Sequence, residues 1–417
     1  MDILRFFTAG NVDDGKSTLI GRMLFDSGSI AEDQMEALLK ASKNKEEGEV
    51  DLALLTDGLR AEREQGITID VAYKYFDTPR RKFIIADTPG HVQYTRNMVT
   101  GASHCQLAII LVDARNGVTE QTKRHTFICH LLGIKHLIIA INKMDLVEYS
   151  QSVYENIQQD FQQFAKPLAI PNLTFIPLSA LKGDNVVKPS IQMDWYVGLP
   201  LLSYLEEVNI PLSSFPEARF QVQYIIRPQT EDLHDYRGYA GKVLSGTYKS
   251  GDAITVLPAG LQSRIKSVEF NQNAIEEAYS PMSVILHLED DIDISRGDMI
   301  VHSHQMPTLT NGFLATICWF DAQALNLSKK YLLQQNSRTV KCALKAIKSK
   351  VNIHTLASTE GGNQMVLNEI GTVAIKTAEA LSIDLYENNP ETGSFILIDE
   401  QTNNTVAAGM VSMVDDI

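Results

Sequence analysis

Near the start of the chain, Gly10-Asn11-Val12-Asp13-Asp14-Gly15-Lys16-Ser17-Thr18 sets two glycines five positions apart and follows the second with Lys-Ser. Glycines at that spacing let consecutive backbone N–H groups turn inward around a multi-oxygen anion. A helix starting at the same point adds partial positive charge. The Lys16 ammonium would then reach the β- and γ-phosphates of a nucleotide, and the Ser17 hydroxyl would hold Mg²⁺. A chance glycine-rich turn is the plain alternative; average residue frequencies give it roughly 1–2% in a chain this long.

Three further clusters each follow an apolar run. Asp87-Thr88-Pro89-Gly90 follows 83–86. A carboxylate there can hold Mg²⁺ through water, and the Gly90 N–H can sense a γ-phosphate, although the tetrapeptide alone more often just makes a turn. Asn142-Lys143-Met144-Asp145 follows 137–141. The Asp145 carboxylate can accept from N1–H and N2–H₂ of guanine together, whereas adenine would leave it unpaired. Ser179-Ala180-Leu181 follows 174–178 and would bring a backbone N–H to guanine O6. The order decides the matter: phosphate loop, Mg²⁺ carboxylate and two base-reading loops succeed one another at the carboxyl ends of predicted strands. That rim is where open α/β sheets bind ligands. The pattern predicts a site for GTP with Mg²⁺.

Two residues are candidates for the hydrolytic step. Thr68, in Glu62-Arg63-Glu64-Gln65-Gly66-Ile67-Thr68-Ile69, can give Mg²⁺ a hydroxyl and touch the γ-phosphate, so that its loop orders only around the triphosphate; a strand residue is the bland reading. His91 stands where small GTPases place a glutamine, and an imidazole there can orient the attacking water. With Lys16 these are the predicted catalytic residues; the predicted metal ligands are Ser17, Thr68 and Asp87. Val12 and Ile67 could form an apolar gate over His91. Neither Arg60 nor Arg63 makes a defensible arginine finger.

These residues need a scaffold that aligns strand ends. Apolar runs at 3–9, 83–86, 107–112, 137–141 and 174–178 show no period of two, which predicts strands buried on both faces of a parallel sheet. Helical patterns fall between them at 17–26, 92–103, 119–132 and 151–165, giving a doubly wound, mostly parallel α/β domain. The texture changes near 211–216. Beyond it, short strands punctuated by glycine predict two β-barrels. The expected domains are 1–212, 216–305 and 308–417.

The chain has 417 residues, 44% apolar and 21% charged, so neither a fibrous nor a disordered class fits. Its net charge is −14: residues 1–212 hold 21 basic and 27 acidic side chains, and 213–417 hold the remaining 16 and 24. Neither half is a bulk nucleic-acid binder. Cys105, Cys129, Cys318 and Cys342 form no CxxC pair and read as inert thiols in a reducing compartment. No leader-like N-terminus or bilayer-length apolar run is apparent, so a cytoplasmic protein free of the membrane is expected. The remaining histidines show no metal spacing; His302 and His304 read as a solvated pair, and Trp195-Tyr196 and Trp319-Phe320 as core or interface anchors.

On these residues the chain resembles the translational GTPases of the elongation-factor superfamily: GITI, Asp87-Thr88-Pro89-Gly90-His91, and a GTPase domain ahead of two barrels all match. More narrowly it resembles the GTPase subunits (subunit 1, the large subunit) of heterodimeric bacterial sulfate adenylyltransferases. The carrying stretches are 10–22, 51–76, 83–103, 238–241, 291–298 and 386–410, so the likeness runs from Leu4 to about Met413. It implies GTP hydrolysis coupled to the uphill reaction ATP + sulfate → adenosine 5′-phosphosulfate + pyrophosphate. A small catalytic subunit carries out that reaction, in sulfate assimilation. Some relatives add a kinase domain; with no second phosphate loop, that activity is not expected here. Asp14 stands where elongation factors have histidine, Asn11 where relatives often have serine, and Ala9 where they have cysteine. The competing reading is an elongation-factor-like GTPase that delivers a tRNA to the ribosome. The acidic balance weighs against it, local lysines at 329–330 and 341–350 notwithstanding.

Overall fold

The structure is a computed structural model, and it describes residues 2–30, 52, 68, 70–210, 215–228 and 236–414. The chain divides into two units, Met1–Pro211 with Asn352–Ala357, and Leu212–Val351 with Ser358–Ile417.

The first unit is built on the apolar runs. They become β1 (Ile3–Ala9), β3 (Lys82–Asp87), β4 (Leu107–Asp113), β5 (His136–Asn142) and β6 (Asn172–Pro177); β2 (Ala72–Asp77) precedes β3. The sheet order is β2-β3-β1-β4-β5-β6, antiparallel only at β2–β3. All seven residues of β4 are buried, the signature of a central strand covered on both faces. Helices α1 (Lys16–Asp26), α2 (Thr95–Ala102), α3 (Glu120–Leu131), α4 (Gln151–Ala165) and α5 (Leu201–Glu207) lie between and after the strands. Thr119 and Thr122 form a reciprocal capping box at the start of α3, and Ser150 caps α4. The helix expected over 92–103 is broken: Val92–Tyr94 is a 3₁₀ turn, and α2 begins only at Thr95. The core joins Leu4, Phe6, Ile20, Ile85, Ile109 and Ile138. It fixes the strand ends that carry the motifs.

The second unit holds two closed six-stranded barrels. In the first, β7 (Arg219–Ile226), β8 (Gly238–Ser245), β10 (Ala253–Leu257), β11 (Leu261–Phe270), β14 (Ser283–Leu288) and β15 (Met299–His302) close through β10–β11; short strands β9 (Thr247–Lys249), β12 (Asn273–Ile275) and β13 (Glu277–Tyr279) are appended. In the second, β16 (Thr308–Trp319), β17 (Lys330–Gln335), β18 (Arg338–Val351), β20 (Ile370–Ile383), β21 (Ser394–Asp399) and β22 (Thr405–Met413) close through β17–β18, with β19 (Ser358–Glu360) at the rim. Closure pairs the strand edges that an open antiparallel sheet would expose. Arg219, its side chain 2% exposed, forms a forked pair with Asp384, Nε and Nη2 each 2.9 Å from an oxygen, and joins the two barrels. Trp319 is a core residue of the second barrel, whereas Trp195 donates to the Tyr149 carbonyl at 3.1 Å. The rings of His302 and His304 stack at 5.5 Å. Cys129, Cys318 and Cys342 are buried, and burial pushes the Cys342 thiol up to about 12.

Candidate functional site

The phosphate-loop residues lie between β1 and α1, as the spacing requires. The turn needs left-handed backbone at two places: Asp13 has φ 65° and Gly15 has φ 91°. A Cβ on Gly15 would stand 2.5 Å from Asn142 Nδ2, so glycine answers both the dihedral and the close approach. Lys16 is buried, and its ammonium donates to the Gly10 carbonyl at 3.2 Å and the Asn11 carbonyl at 2.8 Å. Burial pulls this ammonium below its ordinary value, against the carboxylates of Asp87, Asp14 and Asp13. Ser17 and Thr18 follow, half-buried, in the first turn of α1. Val12 is half-buried as well.

Asp14 is the unusual member. Its side chain turns back under the loop, and Oδ2 accepts from the Asn11 N–H at 2.5 Å. Burial pushes its carboxyl up to about 6, opposed by the Asn11 N–H and by Lys16. Its own carbonyl accepts from Asn142 Nδ2 at 2.7 Å. Asn142 Oδ1 in turn accepts from the Ala180 N–H at 2.9 Å. One amide at the end of β5 thus ties the phosphate loop to the Ser179-Ala180-Leu181 loop.

Beside that strap lies a cavity of about 340 Å³, lined by Gly15, Thr18, Arg115, Asn142, Lys143, Asp145, Leu146, Ala180 and Leu181. Lys143 sits at φ 63° and pairs with Asp113 at 3.0 Å; Arg115 grips the same carboxylate at 2.6 and 3.0 Å. Although burial opposes it, these cations hold the Asp113 carboxyl well below the usual carboxylate range. Asp145 Oδ1 is buried and accepts no hydrogen bond from any described residue. An unsatisfied buried acceptor costs about 1–3 kcal/mol, which a ligand's N–H groups would relieve. Ser179 and Ala180 are buried; Leu181 is exposed at the rim.

At the other end, Asp87 is buried at the close of β3, and the Thr8 hydroxyl donates to it at 3.4 Å. Thr88 Oγ1 donates to the Thr8 carbonyl at 2.6 Å. Gly90 lies against the phosphate loop: a Cβ there would come within 2.5 Å of Lys16 Nζ and 2.7 Å of the Gly10 carbonyl. His91 is half-buried, its ring edge-on to Tyr94 at 6.1 Å. Thr68 is half-buried. Ile67, Arg60 and Arg63 lie outside the described residues, and with them the expected gate. The Asp87 carboxylate and the Ser17 and Thr68 hydroxyls are hard oxygen donors, the set Mg²⁺ takes together with phosphate oxygens and water.

The motif reading missed Asp113, Arg115, Gln121 and His125. Asp113 was findable, since it ends the apolar run of β4 as Asp87 ends that of β3. Gln121 and His125 carry no signal beyond a helical pattern.

Residues 1–217 match the family described as elongation factor Tu GTP binding domain, and residues 312–412 match GTP-eEF1A C-terminal domain-like. The chain is 52% identical over 413 residues to sulfate adenylyltransferase subunit 1 of Psychromonas ingrahamii, covering 99% of this chain and 87% of that one. It is 50% identical over 421 residues to sulfate adenylyltransferase subunit 1 of Bacteroides thetaiotaomicron, covering 98% and 86%. It is 52% identical over 411 residues to the bifunctional enzyme CysN/CysC of Mycobacterium tuberculosis, covering 98% of this chain and 67% of that one.

Proposed function

We propose how the site works in a chain that belongs to the sulfate adenylyltransferase subunit 1 family and carries an elongation factor Tu GTP binding domain. The chain is the GTP-hydrolysing subunit of a sulfate adenylyltransferase. Its GTPase domain supports the uphill formation of adenosine 5′-phosphosulfate and pyrophosphate from ATP and sulfate. In our reading a small catalytic subunit performs that transfer while this chain turns over GTP.

The base is read in the cavity beside Asn142. Asp145 accepts from N1–H and N2–H₂ of guanine, the Lys143 stem covers the ring, and the Ala180 loop faces O6. The observation that carries this is the buried, unpartnered Asp145 Oδ1 at the wall of that cavity. The phosphates lie over the N–H groups of residues 11–17, and Lys16 leaves the Gly10 and Asn11 carbonyls to meet the β- and γ-phosphate oxygens. Ser17, Thr68 and, through water, Asp87 would hold Mg²⁺, which supplies charge neutralisation at the phosphates. The Gly90 N–H contacts the γ-phosphate, and His91 orients the water that forms the new O–P bond as the bond to GDP breaks. No helix among the described residues is long and apolar enough to cross a membrane.

Two experiments test the reading. Asp145→Asn should shift preference from guanine to xanthine nucleotides by roughly 10²-fold, because the amide presents a donor where guanine also donates. Retained GTP preference would show that the base binds elsewhere. This chain mixed with a candidate small subunit should release pyrophosphate from ATP and sulfate in a GTP-dependent manner. GTPase activity without such release, stimulated instead by tRNA or ribosomes, would favour the delivery reading.

A further inference from the structure

Behind Gly90, on the first two turns of α3, lies a buried polar pair with no part in the mechanism above. Gln121 is 6% exposed and His125 1% exposed, one helical turn apart on the face turned to β4. Gln121 Nε2 donates to the Gly90 carbonyl at 3.3 Å and meets His125 Nε2 at 2.9 Å. Gln121 Oε1 accepts from Arg124 Nη1 at 3.3 Å, which leaves the NH₂ group facing Gly90. Arg124 is itself held by Glu120 at 2.9 Å. An amide NH₂ can satisfy both partners only if His125 Nε2 is an acceptor, hence only if the imidazole is neutral with its proton on Nδ1. Its surroundings keep the ring neutral: burial first, then the charges of Lys16 and Arg124, pull the imidazole down to about 3, while its Nδ1 has no partner among the described residues.

The Gly90 carbonyl belongs to the peptide that also carries the His91 nitrogen. We infer that Gln121 is a positioning residue: from helix α3 it fixes the Gly90–His91 peptide, and so sets the direction in which the His91 side chain leaves the backbone. The inference rests on the reading of Gly90 and His91 as the γ-phosphate end of a GTP site. Gly90 is already pressed against Lys16 and the phosphate loop, so it has no slack on its other side. Gln121 supplies the restraint at the carbonyl, and the Arg124 guanidinium, which can only donate to Gln121 Oε1, keeps the amide from turning over.

The test uses the full chain with its partner subunit. Gln121→Met keeps length and volume without a donor; Gln121→Glu keeps shape and polarity but, ionised at pH 8, also cannot donate. Both should lower GTP hydrolysis about 5–10-fold, the worth of one hydrogen bond, and leave GDP affinity within about twofold. Deuterium uptake across 88–94 in the nucleotide-free chain should rise by a similar factor in both. Loss in Met but not in Glu, or GDP affinity falling in step with hydrolysis, would overturn the inference. The exchange measurement needs no GTP, so it separates failure of the restraint from failure of the GTP reading.

Discussion

The two ends of the candidate site are built differently. At the base end the protein bonds to itself: Asn142 straps the phosphate loop to the Ala180 loop, and Asp113 locks Lys143 and Arg115. One acceptor, Asp145 Oδ1, is left over. At the phosphate-loop end the charged group is held by backbone carbonyls alone among the bonds it shows. The Lys16 ammonium rests on two loop carbonyls, which phosphate oxygens would replace with charge-assisted bonds. A rigid end suits recognition, because specificity needs a polar group that a wrong base leaves unpaired. An end with exchangeable partners suits a site that must distinguish a triphosphate from a diphosphate.

Lys16→Ala should have the largest effect. It removes two charge-assisted bonds to GTP, one to the β- and one to the γ-phosphate, each about 2 kcal/mol, so GTP affinity should fall by roughly 10³-fold and GDP affinity, which has only the β-phosphate bond to lose, by roughly 30-fold. Fluorescent-nucleotide titration checks this, and unchanged affinity would unseat the phosphate loop. His91→Ala should separate the two ends. Binding stays within about threefold while partner-stimulated hydrolysis drops by roughly 10²–10³, a range typical of a positioned acid–base or water-orienting group. Single-turnover hydrolysis measures the drop, and an unchanged rate would remove His91 from the mechanism.

Much of this was legible in the sequence because parallel strands and phosphate loops leave local marks. A short β-branched run such as Leu107–Asp113, set between helical patterns, reads as a buried strand and is buried at every position, and Gly15-Lys16-Ser17 opens a helix directly. The barrels were legible as turn punctuation, but the pairings that close them, β10 with β11 and β17 with β18, are long-range facts that no window shows. The candidate site was legible as motifs at strand ends and opaque in the bonds behind them. Asn142 reads as a base contact in the motif, whereas in the fold its amide spends both ends on protein. Gln121 and His125 are invisible for the same reason, since their roles depend on which helix face meets Gly90.

Asp14, which stands where elongation factors have histidine, carries the smallest expected effect. It belongs to the rigid end, yet the fold penalises its charge: burial lifts its carboxyl from an ordinary 3.8 to about 6. A carboxyl raised on folding binds its proton more tightly in the native state, so between those values stability falls as pH rises, and at neutral pH the ionised group is a net cost. At about 1.4 kcal/mol per unit, that cost is about 1–3 kcal/mol. Asp14→Asn keeps an oxygen for the Asn11 N–H and drops the charge. It should therefore raise stability in urea unfolding at pH 7.5 by about 1–2 kcal/mol and by only about a third of that at pH 4.5. If the gain were as large at pH 4.5, or absent at pH 7.5, the carboxylate would not be strained by its burial. The phosphate loop would then owe its shape to Gly15 and the Asn142 strap alone.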